Sequence, residues 1–137
     1  MTLADSKLSE KEIEHNVAFN MGNRILELWG CSDEQKIAIL GLSRSSYYRY
    51  LNADSVFSLS REQLERLSYL ANIHHALRLQ FSNKDNVYGF MNMVNHNDYF
   101  NGQTPLALIT TGDLESLSNV AKHIESMAAV YPYSKIT

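Results

Sequence analysis

The sequence predicts an all-α fold, and three observations predict it. Helix-start signals recur along the chain, at Ser9-Glu10-Lys11-Glu12, Ser32-Asp33-Glu34-Gln35, Ser60-Arg61-Glu62-Gln63 and Thr104-Pro105. Behind these starts, apolar residues return every three or four positions, the spacing that lines one face of a helix. No segment shows the apolar/polar alternation of a half-buried strand.

In the first three signals a Ser hydroxyl can accept from a free N–H of the first turn, while Glu or Gln three residues on reaches back to the cap. The Ser9 box opens a helix whose stripe Ile13, Val17, Met21, Ile25 and Leu28 is expected to face the core, ending at Trp29-Gly30. The Ser32 box starts a short helix broken at Gly41, and Ser43 opens another that runs to Leu51. The Ser60 box starts a long helix to about Phe81, with Leu64, Leu67, Leu70, Ala71, His74 and Leu77 inward and a Glu62/Arg66 pair outward. Asn83-Lys84-Asp85 breaks it. Val87, Phe90, Met91 and Val94 mark a shorter helix, followed by the polar stretch Asn95–Gly102. Thr104 as cap and Pro105 at the first helical position begin the turn Leu106–Thr111, which ends at Gly112. Asp113 and Glu115 suit the positive end of a last helix, whose stripe is Leu114, Leu117, Val120, Ala121, Ile124 and Met127. Tyr131–Thr137 contains a Pro and reads as extended.

A chain of 137 residues can hold one ordinary domain or two small ones sharing a core. The break at Asn83 divides it into residues 1–82 and 83–137. The second part is too short to bury a core alone and is expected to lean on the first or on another subunit. Apolar residues are 45% and charged residues 20%, a globular rather than a disordered composition. Cys31 is the single cysteine, which excludes an internal disulfide framework and suits a reducing cytoplasm as a structural thiol. The start lacks a basic segment followed by an apolar one, and no apolar run approaches the roughly 18 to 20 residues of a membrane span. A cytoplasmic protein without a membrane partner is expected.

The formal net charge of −3 rules out a bulk polycation, so any nucleic-acid surface must be local. Gln35–Ala53 supplies one: it holds Lys36, Arg44 and Arg49 and no Asp or Glu. An apolar helix, a turn with Gly41 and a second helix rich in donors is how a helix-turn-helix looks in sequence. Arg44, Ser45 and Ser46 lie at the start of the second helix, where side chains reach base edges. Tyr47 or Tyr48 with Arg49 would hold phosphates, and Lys36 and Ser43 complete the expected DNA face. Leu42 and Leu51 would pack inside, and one tyrosine is expected in the core. The competing reading is a plain helical hairpin with its tyrosines packed inside.

Catalysis finds little support. The chain has no Gly-rich phosphate loop and no G-x-S-x-G, and its carboxylates fall at helix starts. His74 and His75 are adjacent, so on a helix they point about 100° apart and cannot chelate one ion. His15, His96 and His123 have no ligand-type partner four residues away. His74 is expected to be a hydrogen-bonded core histidine. No enzyme activity, cofactor or metal is expected.

The stretch from Phe90 onward resembles the toxin-binding domain of Xre/MbcA/ParS-type antitoxins. The residues that carry the likeness are Phe90, Gly102, Pro105, Leu106, Leu108, Thr110, Gly112, Val120 and Ile124. The preceding helix-turn-helix stands in that family's order, so the resemblance covers roughly residues 10–130. It implies an Xre-like helix-turn-helix bundle followed by a small helical module that binds a toxin of the RES class. Such antitoxins form homodimers, occlude an NAD-consuming toxin and repress their own operon, with operator DNA as the second partner. The toxin-facing residues implied here are Asn101, Gly102, Gln103, Pro105, Thr111, Gly112, Tyr131, Tyr133 and Lys135. The alternative is a dimeric helix-turn-helix repressor whose C-terminal half only dimerises or senses an effector.

Overall fold

The structure, a computed structural model, describes residues 10–52 and 54–130. It is all-helical, as the sequence predicts: α1 Glu10–Leu28, α2 Asp33–Leu40, α3 Arg44–Leu51, α4 Arg61–Gln80, α5 Lys84–Gly89, a 3-10 turn Phe90–Asn92, α6 Pro105–Ile109 and α7 Leu114–Val130. The capping boxes at Ser32 and Ser60 both form, each with its Gln side chain returned to the cap N–H. Thr104 caps α6 through the Ala107 N–H at 3.1 Å. Asp113 accepts from both the backbone and the hydroxyl of Ser116 at the start of α7. The Ser9 box lies outside the described residues.

α4 is the axis of the molecule. It packs most extensively on α7, then on α1, with α2 and α5 also against it. One hydrophobic cluster takes Phe19 and Leu26 from α1, Trp29 just after it, Leu67, Leu70, Ile73 and Leu77 from α4, and Leu117, Val120, Ala121 and Ile124 from α7. Residues on both sides of Asn83 therefore share one core, and α7 covers a face of α4 that would otherwise meet water.

Several expectations are corrected. On α1, Val17 and Met21 are 60% and 41% exposed, while His15, Phe19, Asn23 and Leu26 turn inward. The polar pair can be buried because each is bonded: His15 Nδ1 accepts the Leu59 N–H at 2.8 Å, and Asn23 Oδ1 accepts the Tyr47 hydroxyl at 2.9 Å. On α4, Arg66 is buried rather than outward, with Nη1 donating to the Ile39 carbonyl at 3.1 Å and Nε to Glu62 at 3.3 Å. Val94, expected to mark the short helix, lies beyond the 3-10 turn and is exposed, and Leu51 is exposed rather than packed. His74 is half-buried and stacks parallel to Tyr88, its buried Nδ1 having no hydrogen-bond partner in place of the expected bond.

Candidate nucleic-acid interface

The turn between α2 and α3 is built by Gly41, whose φ of +67° is the left-handed conformation that a helix-terminating glycine supplies. Its N–H returns to the Ala38 carbonyl and that of Leu42 to the Ile37 carbonyl, both at 3.2 Å. This paired return closes α2 and turns the chain at once into the next cap. Ser43 then accepts from the Ser46 N–H at 3.1 Å and starts α3. Leu42 and Ile37 pack at the margin of the core.

α3 divides cleanly into two faces. Tyr47 and Tyr50 point inward, where Phe19, Tyr47, Tyr50 and Phe57 form an aromatic cluster, with Tyr50 stacked on Phe57 at 4.0 Å. Burial, then the charges of Asp33 and Glu27, pushes the Tyr47 phenol up to about 12, so it stays a donor to Asn23. Tyr47 therefore belongs to the core and not to the DNA face. Lys36 leaves that face too: its buried ammonium lies between Glu27 at 3.7 Å and Asp33 at 3.8 Å.

The outward face carries Ser43, Arg44, Ser45, Tyr48 and Arg49, with Ser46 half-exposed. Its donors are already oriented. Arg44 pairs with Glu34 and lies over the Tyr48 ring with its carbon 5.8 Å from the centroid. The Tyr48 hydroxyl donates to Asp33 at 2.9 Å. Tyr48 and then Glu34 raise the Arg44 pKa, so this guanidinium keeps its proton. Arg49 lies against the Tyr50 ring at 5.2 Å. An exposed second helix, seated on a rigid aromatic base behind a tight glycine turn, has the geometry of a groove-reading helix.

Residues 10–72 match the family model of the antitoxin Xre-like helix-turn-helix domain. The N-terminal part of the chain is thus similar to an Xre-like helix-turn-helix domain. The match takes in α1, α2, α3 and the first half of α4 and supports a DNA-binding antitoxin or regulator. No curated protein and no solved structure matches the chain.

Beyond the Xre-like unit, the polar stretch 95–103 folds into a closed loop. Asn95 and Gln103 form an isolated antiparallel bridge, with the Gly102 N–H donating to the Asn95 carbonyl at 2.7 Å. The Asn97 side chain accepts from the Phe100 N–H at 3.0 Å. Phe100 is fully buried and anchors the loop, and Tyr99 stacks on His123 of α7 at 3.7 Å. Asn101, Gly102 and Gln103 stand exposed on its returning side, with positive φ at Asn101 and Gly102 and Gln103 in the closing bridge.

The other expected toxin-facing residues fall elsewhere. Pro105 is buried at the start of α6. Thr111 is exposed, with its hydroxyl on the Leu108 carbonyl at 3.1 Å. Gly112 has a φ of +81° and backs onto α2 so closely that a Cβ would lie 3.1 Å from the Ala38 carbonyl oxygen. Its visible role is the seam between α2 and the C-terminal helices. Tyr131, Tyr133 and Lys135 lie outside the described residues.

Sequence reasoning missed His15, Asn23 and Arg66, which hold the Xre-like unit together. Their only signal was polarity in line with apolar neighbours. Cys31 is partly buried, and burial, partly opposed by Lys36, pushes its thiol up to about 11, away from nucleophilic use. Among the described residues no three His, Cys, Asp or Glu side chains are grouped to hold a metal ion, and no helix is long and apolar enough to cross a membrane.

Proposed function

We propose that the protein is a cytoplasmic, homodimeric antitoxin that represses its own operon through α3 and neutralises a RES-type toxin through its C-terminal helices, catalysing nothing itself. The observation that carries the DNA half is the outward face of α3, where Arg44, Ser45, Tyr48 and Arg49 stand on a buried aromatic base within the matched segment. Operator contacts are assigned to Ser43, Arg44, Ser45, Ser46, Tyr48 and Arg49. Support for the toxin half is the resemblance of residues 90–130 and the exposed polar run Asn101–Gln103, whose donors and acceptors are open to a partner. Tyr131, Tyr133 and Lys135 are aromatic or cationic anchors for the same partner. In this reading Pro105 starts α6 directly after the loop and Gly112 holds the seam with α2, rather than touching the toxin.

Two measurements on the full chain test the halves separately. Binding to DNA from upstream of its own gene should weaken about fivefold or more in Arg44→Ala and in Arg49→Ala and fall steeply with salt. Unchanged affinity in both variants refutes the assignment of α3. Gln103→Arg should abolish protection of cells expressing the adjacent toxin gene, with cellular NAD falling, while DNA binding persists. Full protection by that variant refutes the loop as the toxin contact. Point variants serve here because α7 supplies core to α4, so removal of residues 83–137 would expose the Xre-like unit's own interior.

A further inference from the structure

One side of α1 has no partner among the described residues. Val17 and Met21 are 60% and 41% exposed on the side of the helix away from the buried Phe19 and Leu26. Exposed Glu14 and Arg24 extend the same line, and half-buried Leu28 ends it. Residues 14, 17, 21, 24 and 28 alternate steps of three and four, the spacing of a coiled-coil seam. Within the chain, Arg24 reaches Glu27 at 3.4 Å with 68% of its side chain exposed, a pair of little strength.

The stripe is complementary to itself in one orientation. Set antiparallel to a second α1 about an axis at residue 19, Val17 lies opposite Met21 of the second copy, and Glu14 opposite Arg24 of the second copy. Both relations occur twice by symmetry, which is what an isologous interface requires. A parallel pairing would instead set Glu14 against Glu14 and Arg24 against Arg24. We propose that this face of α1 is where two copies of the chain pair, antiparallel, with an apolar centre of Val17 and Met21 and a Glu14–Arg24 ion pair at each end.

The proposal deepens the homodimer part of the reading above and rests on it. Its apolar centre is small, so the pair forms reversibly and depends on concentration. Because α3 sits on the Phe19 side of α1, through Tyr47 and Tyr50, this pairing leaves the outward face of α3 uncovered in both copies. Two free reading helices are what a symmetric operator needs.

Sedimentation of the full chain at several concentrations tests it, with circular dichroism as the check on folding. Glu14→Arg and Arg24→Glu each place two like-charge pairs in the interface and should each raise the dimer dissociation constant about tenfold or more. An equimolar mixture of the two variants should recover dimerisation, because every pair across that heterodimer is again opposite in charge. The double variant should recover it alone. Met21→Glu should be monomeric. Dimerisation that ignores all these changes refutes the surface and leaves the homodimer standing. A wild-type chain monomeric throughout refutes both. Failure of the mixture to pair refutes the antiparallel register.

Discussion

Arg66→Met removes the donors that fasten the helix-turn-helix to α4 while keeping a side chain of similar length. Arg66 is 6% exposed, and its Nη1 satisfies the carbonyl of Ile39, one of the last in α2 and without an intrahelical partner. A buried hydrogen bond from a charged donor contributes about 1.5–3 kcal/mol, and its loss leaves that carbonyl unpaired. The Glu62 partner is more than half exposed and adds roughly 0–1 kcal/mol. Because the methionine keeps most of the packing of the aliphatic stem, the net cost should be about 2–3 kcal/mol. Spread over the unfolding entropy of 137 residues, that is a fall in melting temperature of about 7–10 °C.

The same residue is the neighbour of the turn glycine. A Cβ on Gly41 would lie 2.6 Å from Arg66 Nε, so Gly41→Ala must displace a guanidinium already bonded to Ile39, besides straining a φ of +67°. The left-handed strain costs about 1–2 kcal/mol and the displaced arginine about 2 more. In an Arg66→Met background only the strain should remain, so the two substitutions should be less than additive by about 2 kcal/mol. Urea unfolding of the four proteins, at unchanged slope, measures this coupling. Strict additivity, or an Arg66→Met stability within about 0.5 kcal/mol of wild type, would refute the link between the turn and α4.

Three further outcomes are expected. Tyr47→Phe leaves the buried Asn23 Oδ1 without its 2.9 Å donor and should cost about 1–2 kcal/mol in urea unfolding, whereas Tyr48→Phe, at the surface, should cost under about 0.5. Gly112→Val, at a φ of +81° and against the Ala38 carbonyl, should cost about 2 kcal/mol or more and speed amide exchange in α2 and α6. Burial, then Arg78 and His75, lowers the pKa of His74 in the folded chain, so the unfolded chain takes the proton first as pH falls. The stability tied to His74 is therefore full above its unfolded value of about 6.5 and is lost as pH falls through the depressed folded value. His74→Phe should flatten that decline in urea titrations between pH 7 and 5, and an identical decline in both proteins would exclude His74 as its source.

Element starts were legible because their determinants are local. Ser32 with Gln35, Ser60 with Gln63, and Thr104 with Pro105 satisfy first-turn N–H groups within three residues, so each signal is complete in its own window. The facing of α1 was not legible. Both of its sides repeat at helical spacing, and the choice between the stripe of Val17 and Met21 and the side of Phe19 is made by the rings of Tyr47, Tyr50 and Phe57, all distant in sequence. Lys36 and Arg66 read as surface charge for the same reason, since the groups that bury them, Glu27 and the Ile39 carbonyl, are also remote. The proposed DNA face was legible as a segment and less so by residue: spacing from Ser43 locates α3, but only the aromatic cluster decides that Tyr47 turns in and Tyr48 out.

With Lys36 inside, the exposed charges around α3 nearly cancel. Arg44 and Arg49 are matched by Asp33 and Glu34 at the start of α2, where those acids also favour the helix dipole. Long-range attraction by this motif is therefore weak in a chain whose net charge is −3. Binding to a polyanion must work at short range, by exchange of partners. The Arg44–Glu34 pair is 60% and 70% exposed, so a phosphate that replaces Glu34 gives up little to do so. The acids meanwhile hold Arg44 and Tyr48 close to the helix surface until a ligand takes them over. Such a face favours hydrogen-bond geometry over bulk charge, at the expense of affinity per copy. In the proposed dimer, two faces on one duplex would offset that weakness through effective concentration, which is the physical reason to expect the proposed pairing through α1 and reading through α3 together.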